Sequence, residues 1–99
     1  MKGELSMDRE KDIESYLVRQ VEKLGGIALK YANGVQAGYP DRFCLLPEGK
    51  TFWVELKRKG ESPRPLQLVR IRKLRKLGAT VYVADSRERI DELIGEMTA

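Results

Sequence analysis

The 99-residue chain has no histidine and a single cysteine. Without histidine there is no imidazole base, no His-ligated zinc and no Ser-His or Cys-His dyad. Acid–base chemistry is left to Asp, Glu, Lys, Tyr or metal-bound water. A lone Cys44 excludes an internal disulfide and a cysteine-rich zinc cluster. In Phe43-Cys44-Leu45-Leu46 it has no base beside it and reads as a buried structural thiol. Long hydrophobic runs are missing too: nowhere do about 18 apolar residues follow one another. Met1-Lys2-Gly3-Glu4-Leu5 lacks the apolar stretch of a secretory leader. A soluble, intracellular protein is expected, with no membrane partner.

A chain of this length fits one small domain. It buries only about 60–65% of the surface its unfolded form exposes, so self-association would help it. With 19 Lys and Arg against 15 Asp and Glu, the net charge is +4. That balance suits an anionic partner, and nucleic acid is the commonest polyanion.

Residues 1–7 read as a loose lead-in and residues 8–97 as a single domain. From Asp8 to Leu24, Ile13, Leu17, Val21 and Leu24 recur at helical steps, and Gly25-Gly26 ends the helix. Glu10 and Glu14 lie on or beside this apolar stripe, an odd place for groups that merely solvate a surface. Ile27–Tyr31 is a short strand, followed by a polar loop from Ala32 to Pro40. Arg42–Leu46 and Thr51–Lys57 read as an antiparallel pair around the turn residues Pro47-Glu48-Gly49-Lys50. Arg58 to Pro65, with Gly60, Pro63 and Pro65, is a basic, exposed, mobile loop.

A second helix is predicted from Pro65 to Leu77, stopping at Gly78. It places Gln67, Ile71 and Leu74 on one inward stripe, with Arg72, Arg75 and Lys76 on a solvated face. Ala79–Ala84 is a buried strand, and Asp85 with Glu88 resembles a capping box opening a last helix over Ser86–Met97. The order α-β-β-β-α-β-α predicts an α/β domain with a mixed sheet. Its right-handed crossover makes Thr51–Lys57 and the last strand parallel.

The chemistry concentrates at Asp41, Glu55 and Lys57. Glu55 and Lys57 are two residues apart on a strand and leave the same face. If Asp41 opens the neighbouring strand, its carboxylate reaches the same spot. Two converging acids suit a hard divalent cation, which supports phosphodiester hydrolysis by assisting the nucleophile, the developing charge and the leaving oxygen. Lys57 can orient the attacking water or stabilise charge, and spacing does not separate these roles. A plainer alternative makes Asp41 a turn former after Pro40 and the other two an exposed strand face. It leaves unexplained why a strand with Phe52, Trp53, Val54 and Leu56 holds charges, and why Gln67 sits on an inward stripe. Trp53 itself reads as a core or interface anchor.

Pro40-Asp41, thirteen residues, then Glu55-Leu56-Lys57 resembles the PD-(D/E)XK nuclease signature. Gly38-Tyr39-Pro40-Asp41-Arg42, Val54-Glu55-Leu56-Lys57-Arg58, and Gln67 with Leu74 and Gly78 resemble, more narrowly, the VRR-NUC family of virus-type replication-repair nucleases. The resemblance runs from about Asp8 to about Ile94. It implies a restriction-endonuclease-like α-β-β-β-α-β core with a C-terminal helix, and Mg²⁺ or Mn²⁺ as cofactor. It also implies action on double-stranded or branched DNA, since small stand-alone members are similar to dimeric four-way-junction resolvases. Such members occur in phages and bacteria, which places the protein in the bacterial or phage-infected cytoplasm.

Carried over by motif, Asp41 and Glu55 are metal ligands, with the Leu56 carbonyl as candidate third, and Lys57 is the catalytic lysine. Glu14 is the expected first-helix acid, with Glu10 one turn earlier as its competitor. Gln67 corresponds to the glutamine beside the active-site lysine. Arg58, Lys59 and Arg64, following the active strand, are candidates for phosphate contacts that read no sequence. The expected activity is a metal-dependent endodeoxyribonuclease, probed against two rivals: a non-catalytic DNA-binding protein, and a structural subunit with the same fold.

Overall fold

The computed structural model describes residues 8–32 and 34–99. The expected lead-in, residues 1–7, lies outside them. Helix α1 (Glu10–Lys23) starts where the Arg9 amide donates to Asp12 Oδ2 at 3.0 Å. Ile13, Leu17 and Val21, spaced one turn apart, are completely buried. Gly25 ends the helix with a φ of 83°. At Gly26 the chain passes so close to the Leu45 carbonyl that a Cβ would collide with it. Glycine is therefore what lets the chain turn from α1 into the sheet.

Strand β1 (Ile27–Lys30) runs antiparallel to β2 (Arg42–Leu46), with Ile27 opposite Leu45 and Lys30 opposite Arg42. A 3₁₀ turn at Pro47–Gly49 leads into β3 (Lys50–Leu56), antiparallel to β2. Helix α2 (Pro65–Lys76) crosses to β4 (Val81–Ala84), which lies parallel to β3, so the sheet order is β1-β2-β3-β4. Helix α3 (Arg87–Thr98) closes the domain. The expected mixed α/β architecture is what the chain adopts.

Alternation along the strands sorts the two sheet faces. Cys44, Leu46, Phe52, Val54, Leu56 and Ala84 face α1 and α3, where Ile90 and Leu93 complete the main core. Each fully buried aliphatic or aromatic side chain contributes roughly 1.5–3 kcal/mol relative to exposure. Burial pushes the Cys44 thiol up to about 12, so it is an inert core residue as expected. Tyr16 Oη donates to Asp91 at 2.8 Å and Arg87 pairs with Asp8 at 2.9 Å, tying α1 to α3 at the surface.

The other face is covered only in part, by α2, where Ile71 and Val81 are buried. Over β1, β2 and the start of β3 it is left open. Ile27 is 50% exposed and Leu29 49%, beside half-buried Phe43, Leu45 and Trp53. Trp53 packs 4.8 Å from Phe43 and 5.3 Å edge-on from Tyr31, which meets Tyr39.

Three local expectations are corrected. The cap of α3 is Ser86, whose Oγ accepts from the Arg89 amide at 3.0 Å, and not Asp85, which instead accepts from the Gly60 amide. That same bond, with Glu61 N donating to the Arg58 carbonyl, ties the loop after β3 as a turn where a mobile segment was expected. Arg75 is not merely solvated: it donates to the Val81 carbonyl at 2.6 Å and fastens α2 to β4, while Arg72 and Lys76 remain exposed.

Candidate active site

Strand β3 delivers Glu55 to the face opposite the main core, and Lys57 follows two residues later on the same side. Both are buried, Glu55 to 1% exposure and Lys57 to 8%. Lys57 Nζ lies 3.5 Å from Glu55 Oε2. Asp41 directly precedes β2, after the buried Pro40, and its Oδ2 accepts from the Leu56 amide at 2.8 Å. The structure thus brings Asp41, Glu55 and Lys57 together as the spacing predicts, with the Leu56 amide against Asp41.

Gln67 joins them from the first turn of α2. Its Oε1 accepts from the Arg64 amide and its Nε2 donates to Glu55 Oε2, both at 2.8 Å. One side chain therefore caps the helix and holds the carboxylate. As a positioning residue it has a testable share: Gln67→Ala is expected to lower any cleavage about 10–100-fold. Steady-state rates on a labelled DNA checks this, with circular dichroism confirming the fold.

Glu55 Oε1 is buried and has no hydrogen-bond partner. A bare carboxylate oxygen inside a protein is costly unless a cation or proton meets it. Burial, then the neighbouring Asp41 charge, push the Glu55 carboxyl up to about 7, against the opposing pull of Lys57. Asp41 is also raised, first by burial, while the Leu56 amide works the other way. Among the described residues no group of three Asp, Glu or Cys side chains is gathered to hold a metal alone. A cation here would rest on the Asp41 and Glu55 pair with main-chain and water oxygens, a donor set that suits Mg²⁺.

The two α1 acids part company. Glu14 is engaged by Arg42 Nε at 2.9 Å, and Arg42 also donates to the Ala28 carbonyl. Glu14 still acts on Asp41, raising its carboxyl. Glu10 is half-buried with its carboxyl raised by burial and then by Asp41, with Lys57 opposing. It also raises Glu55, so the Glu10 charge is felt by Asp41, Glu55 and Lys57. Arg42 was not picked out from the sequence. The signal was available: alternation from Phe43 turns Arg42 toward α1.

Arg58, Lys59 and Arg64 are exposed on the segment between β3 and α2. Lys59 and Arg87 share a cleft with three acids, Asp8, Asp85 and Glu88, which dilutes the Lys59 charge, and the Arg64 amide donates to Gln67 at the start of α2.

No family model matches the chain. It is 46% identical over 80 residues to "Putative nuclease p44" of Acyrthosiphon pisum secondary endosymbiont phage 1, covering 81% of this chain and 86% of that protein. A solved structure described as "VRR_NUC domain" superposes with a TM-score of 0.82 at 34% identity, over 87% of this chain and 94% of that one. The chain belongs to the VRR-NUC family. A second VRR-NUC structure, a "VRR_NUC domain protein", has a TM-score of 0.71 at 18% identity over 91% and 88% of the two chains, and so shares the fold. The VRR-NUC nuclease fold explains the placement of the acids: the hairpin and the parallel crossover converge on one sheet end. Among the described residues of this VRR-NUC protein no helix is long and apolar enough to cross a membrane.

Proposed function

We propose that the protein is a metal-dependent endodeoxyribonuclease that hydrolyses phosphodiester bonds in branched DNA as a homodimer in the cytoplasm. The observation that carries the reading is the buried, unpartnered Oε1 of Glu55, set beside Asp41 and Lys57. Asp41, Glu55 and the Leu56 carbonyl would hold Mg²⁺ or Mn²⁺. When bound, the cation would supply charge neutralisation at the phosphate and a more acidic water.

The chain's own residues do the rest. Gln67 fixes the Glu55 carboxylate through Oε2, leaving Oε1 for the cation. The Leu56 amide fixes Asp41. Lys57, held by Glu55, presents an ammonium to the attacking water or to the charge developing on the phosphate. Glu14, paired with Arg42 and acting on Asp41, and Glu10, whose carboxyl is raised by burial and by Asp41, are both offered as the first-helix acid. Arg58 and Arg64 are offered as phosphate contacts, with Lys59 a weaker one. The resemblance to small junction-resolving family members supports branched DNA as substrate.

The open sheet face supports the dimer. Leu29, Ile27 and half-buried Phe43 and Leu45 form an apolar patch that a twofold-related copy would cover with the same residues. Leu29→Asp is expected to shift the protein from dimer to monomer in light scattering after gel filtration, and a dimer of unchanged stability would refute the assignment of this face.

Labelled linear duplex, flap and four-way-junction substrates, with and without Mg²⁺, test the function. Metal-dependent cuts concentrated on the branched substrates are expected. Binding without cleavage under every condition would instead favour a non-catalytic DNA-binding protein.

A further inference from the structure

The outer flank of α1 carries Lys11, Ser15 and Arg19 at i, i+4 and i+8, a single row of exposed side chains. With Glu14, Val18 and Arg42 they line an open groove of about 370 Å³. Three cations and a hydroxyl therefore line it with one acid, and that acid is already paired with Arg42 at 2.9 Å. Arg19 lies 6.0 Å over the Tyr16 ring, which holds its guanidinium against the helix.

The groove adjoins the candidate active site through two of its lining residues, Glu14 and Arg42. Arg42 directly follows Asp41, and Glu14 and Lys30 both act electrostatically on Asp41. Arg42 in its lining donates to the Ala28 carbonyl of β1, whereas the loop that carries Arg58 is tied at Gly60 to Asp85, just after β4. In the sheet order, β3 with Glu55 and β2, which Asp41 precedes, lie between β1 and β4. From Lys11 to Arg19 the row spans about 12 Å of helix axis, the rise of about three to four duplex base steps at 3.4 Å each. Its donors match phosphate oxygens and offer little that could read a base edge.

We infer that this groove seats the DNA sugar-phosphate backbone on the side of the scissile bond opposite Arg58 and Arg64, with Lys11, Ser15 and Arg19 as the contacts; the inference rests on the nuclease reading above. The backbone then bridges the acids from both sides, which holds a phosphate over Asp41 and Glu55.

The test is the affinity of the full chain for a fluorescent four-way junction in EDTA, across salt concentrations. Replacing Lys11 and Arg19 together by Gln should weaken binding about tenfold or more and make the log–log salt slope shallower by about 1.8, the value for two lost phosphate contacts. Arg72→Gln with Lys76→Gln removes the same charge from the exposed flank of α2 and should leave the slope unchanged. An unaltered slope in the Lys11/Arg19 variant, or an equal change in the α2 variant, overturns the groove assignment while leaving metal-dependent cleavage by the unsubstituted protein intact. Tight, groove-dependent binding with no cleavage in Mg²⁺ overturns the nuclease reading alone. No binding to any DNA overturns both.

Discussion

Glu55→Gln is expected to lower cleavage by a factor on the order of 10³ or more, and at pH 8 in EDTA to unfold at a higher temperature than the unsubstituted protein. The two effects have one cause. Burial holds the Glu55 carboxyl up at about 7 against an ordinary 4.5, so the folded state binds this proton more tightly than the unfolded chain does. By linkage, stability rises as pH falls from about 7 toward 4.5 and is lowest above 7, where the carboxylate is charged; the span corresponds to on the order of 3 kcal/mol. Asp41 and Glu10 are displaced in the same direction.

Glutamine keeps the shape and an acceptor for Gln67 while removing the buried charge. Lys57 is not stranded, since Asp41 and Glu10 both still act on it. A gain of about 1–2 kcal/mol is therefore expected at pH 8, below the full span because the ion pair with Lys57 is lost. The gain should shrink by pH 5, where Glu55 is already protonated. Thermal unfolding followed by circular dichroism at both pH values measures it. Loss of stability at pH 8 would show that Glu55 is a structural ion-pair partner rather than a carboxylate kept for a cation.

Lys57→Met is the second large effect: a loss of cleavage of about 10²–10³-fold with junction affinity in EDTA changed no more than a few-fold. Methionine retains the apolar stem that makes Lys57 nearly buried and removes the ammonium that opposes the raised pKa values of Glu55, Asp41 and Glu10. The carboxyl groups should then titrate higher still, moving the acid limb of the pH–rate profile to higher pH. Lys57→Arg separates the two roles of the lysine. A guanidinium supplies charge but does not give up a proton near neutrality. Substantial activity in the arginine variant assigns charge stabilisation, and its absence with intact folding favours handling of the attacking water.

What could be read without coordinates follows the range of the forces involved. The shared face of Glu55 and Lys57 comes from strand geometry over two residues, and the approach of Asp41 to Leu56 from a hairpin whose turn residues are visible. Gln67 was legible as an amide on an inward helical stripe, and its bond to Glu55 supplies the reason. The details that escaped depend on distant contacts. Glu14 pairs with Arg42, 28 residues away, a contact that no local pattern announces. The loop after β3 is tied at Gly60 by Asp85, 25 residues on, and α3 is capped by Ser86. Arg75 looked like one more surface cation because nothing local announces the Val81 carbonyl it reaches.

The most direct test of the Asp41 and Glu55 centre is cleavage of a labelled four-way junction by unsubstituted and Glu55→Gln protein, each in Mg²⁺ and in excess EDTA. Cutting by the unsubstituted protein in Mg²⁺ and in no other arm is the expected result. Undiminished cutting in EDTA, or by Glu55→Gln in Mg²⁺, would contradict a cation held by Glu55.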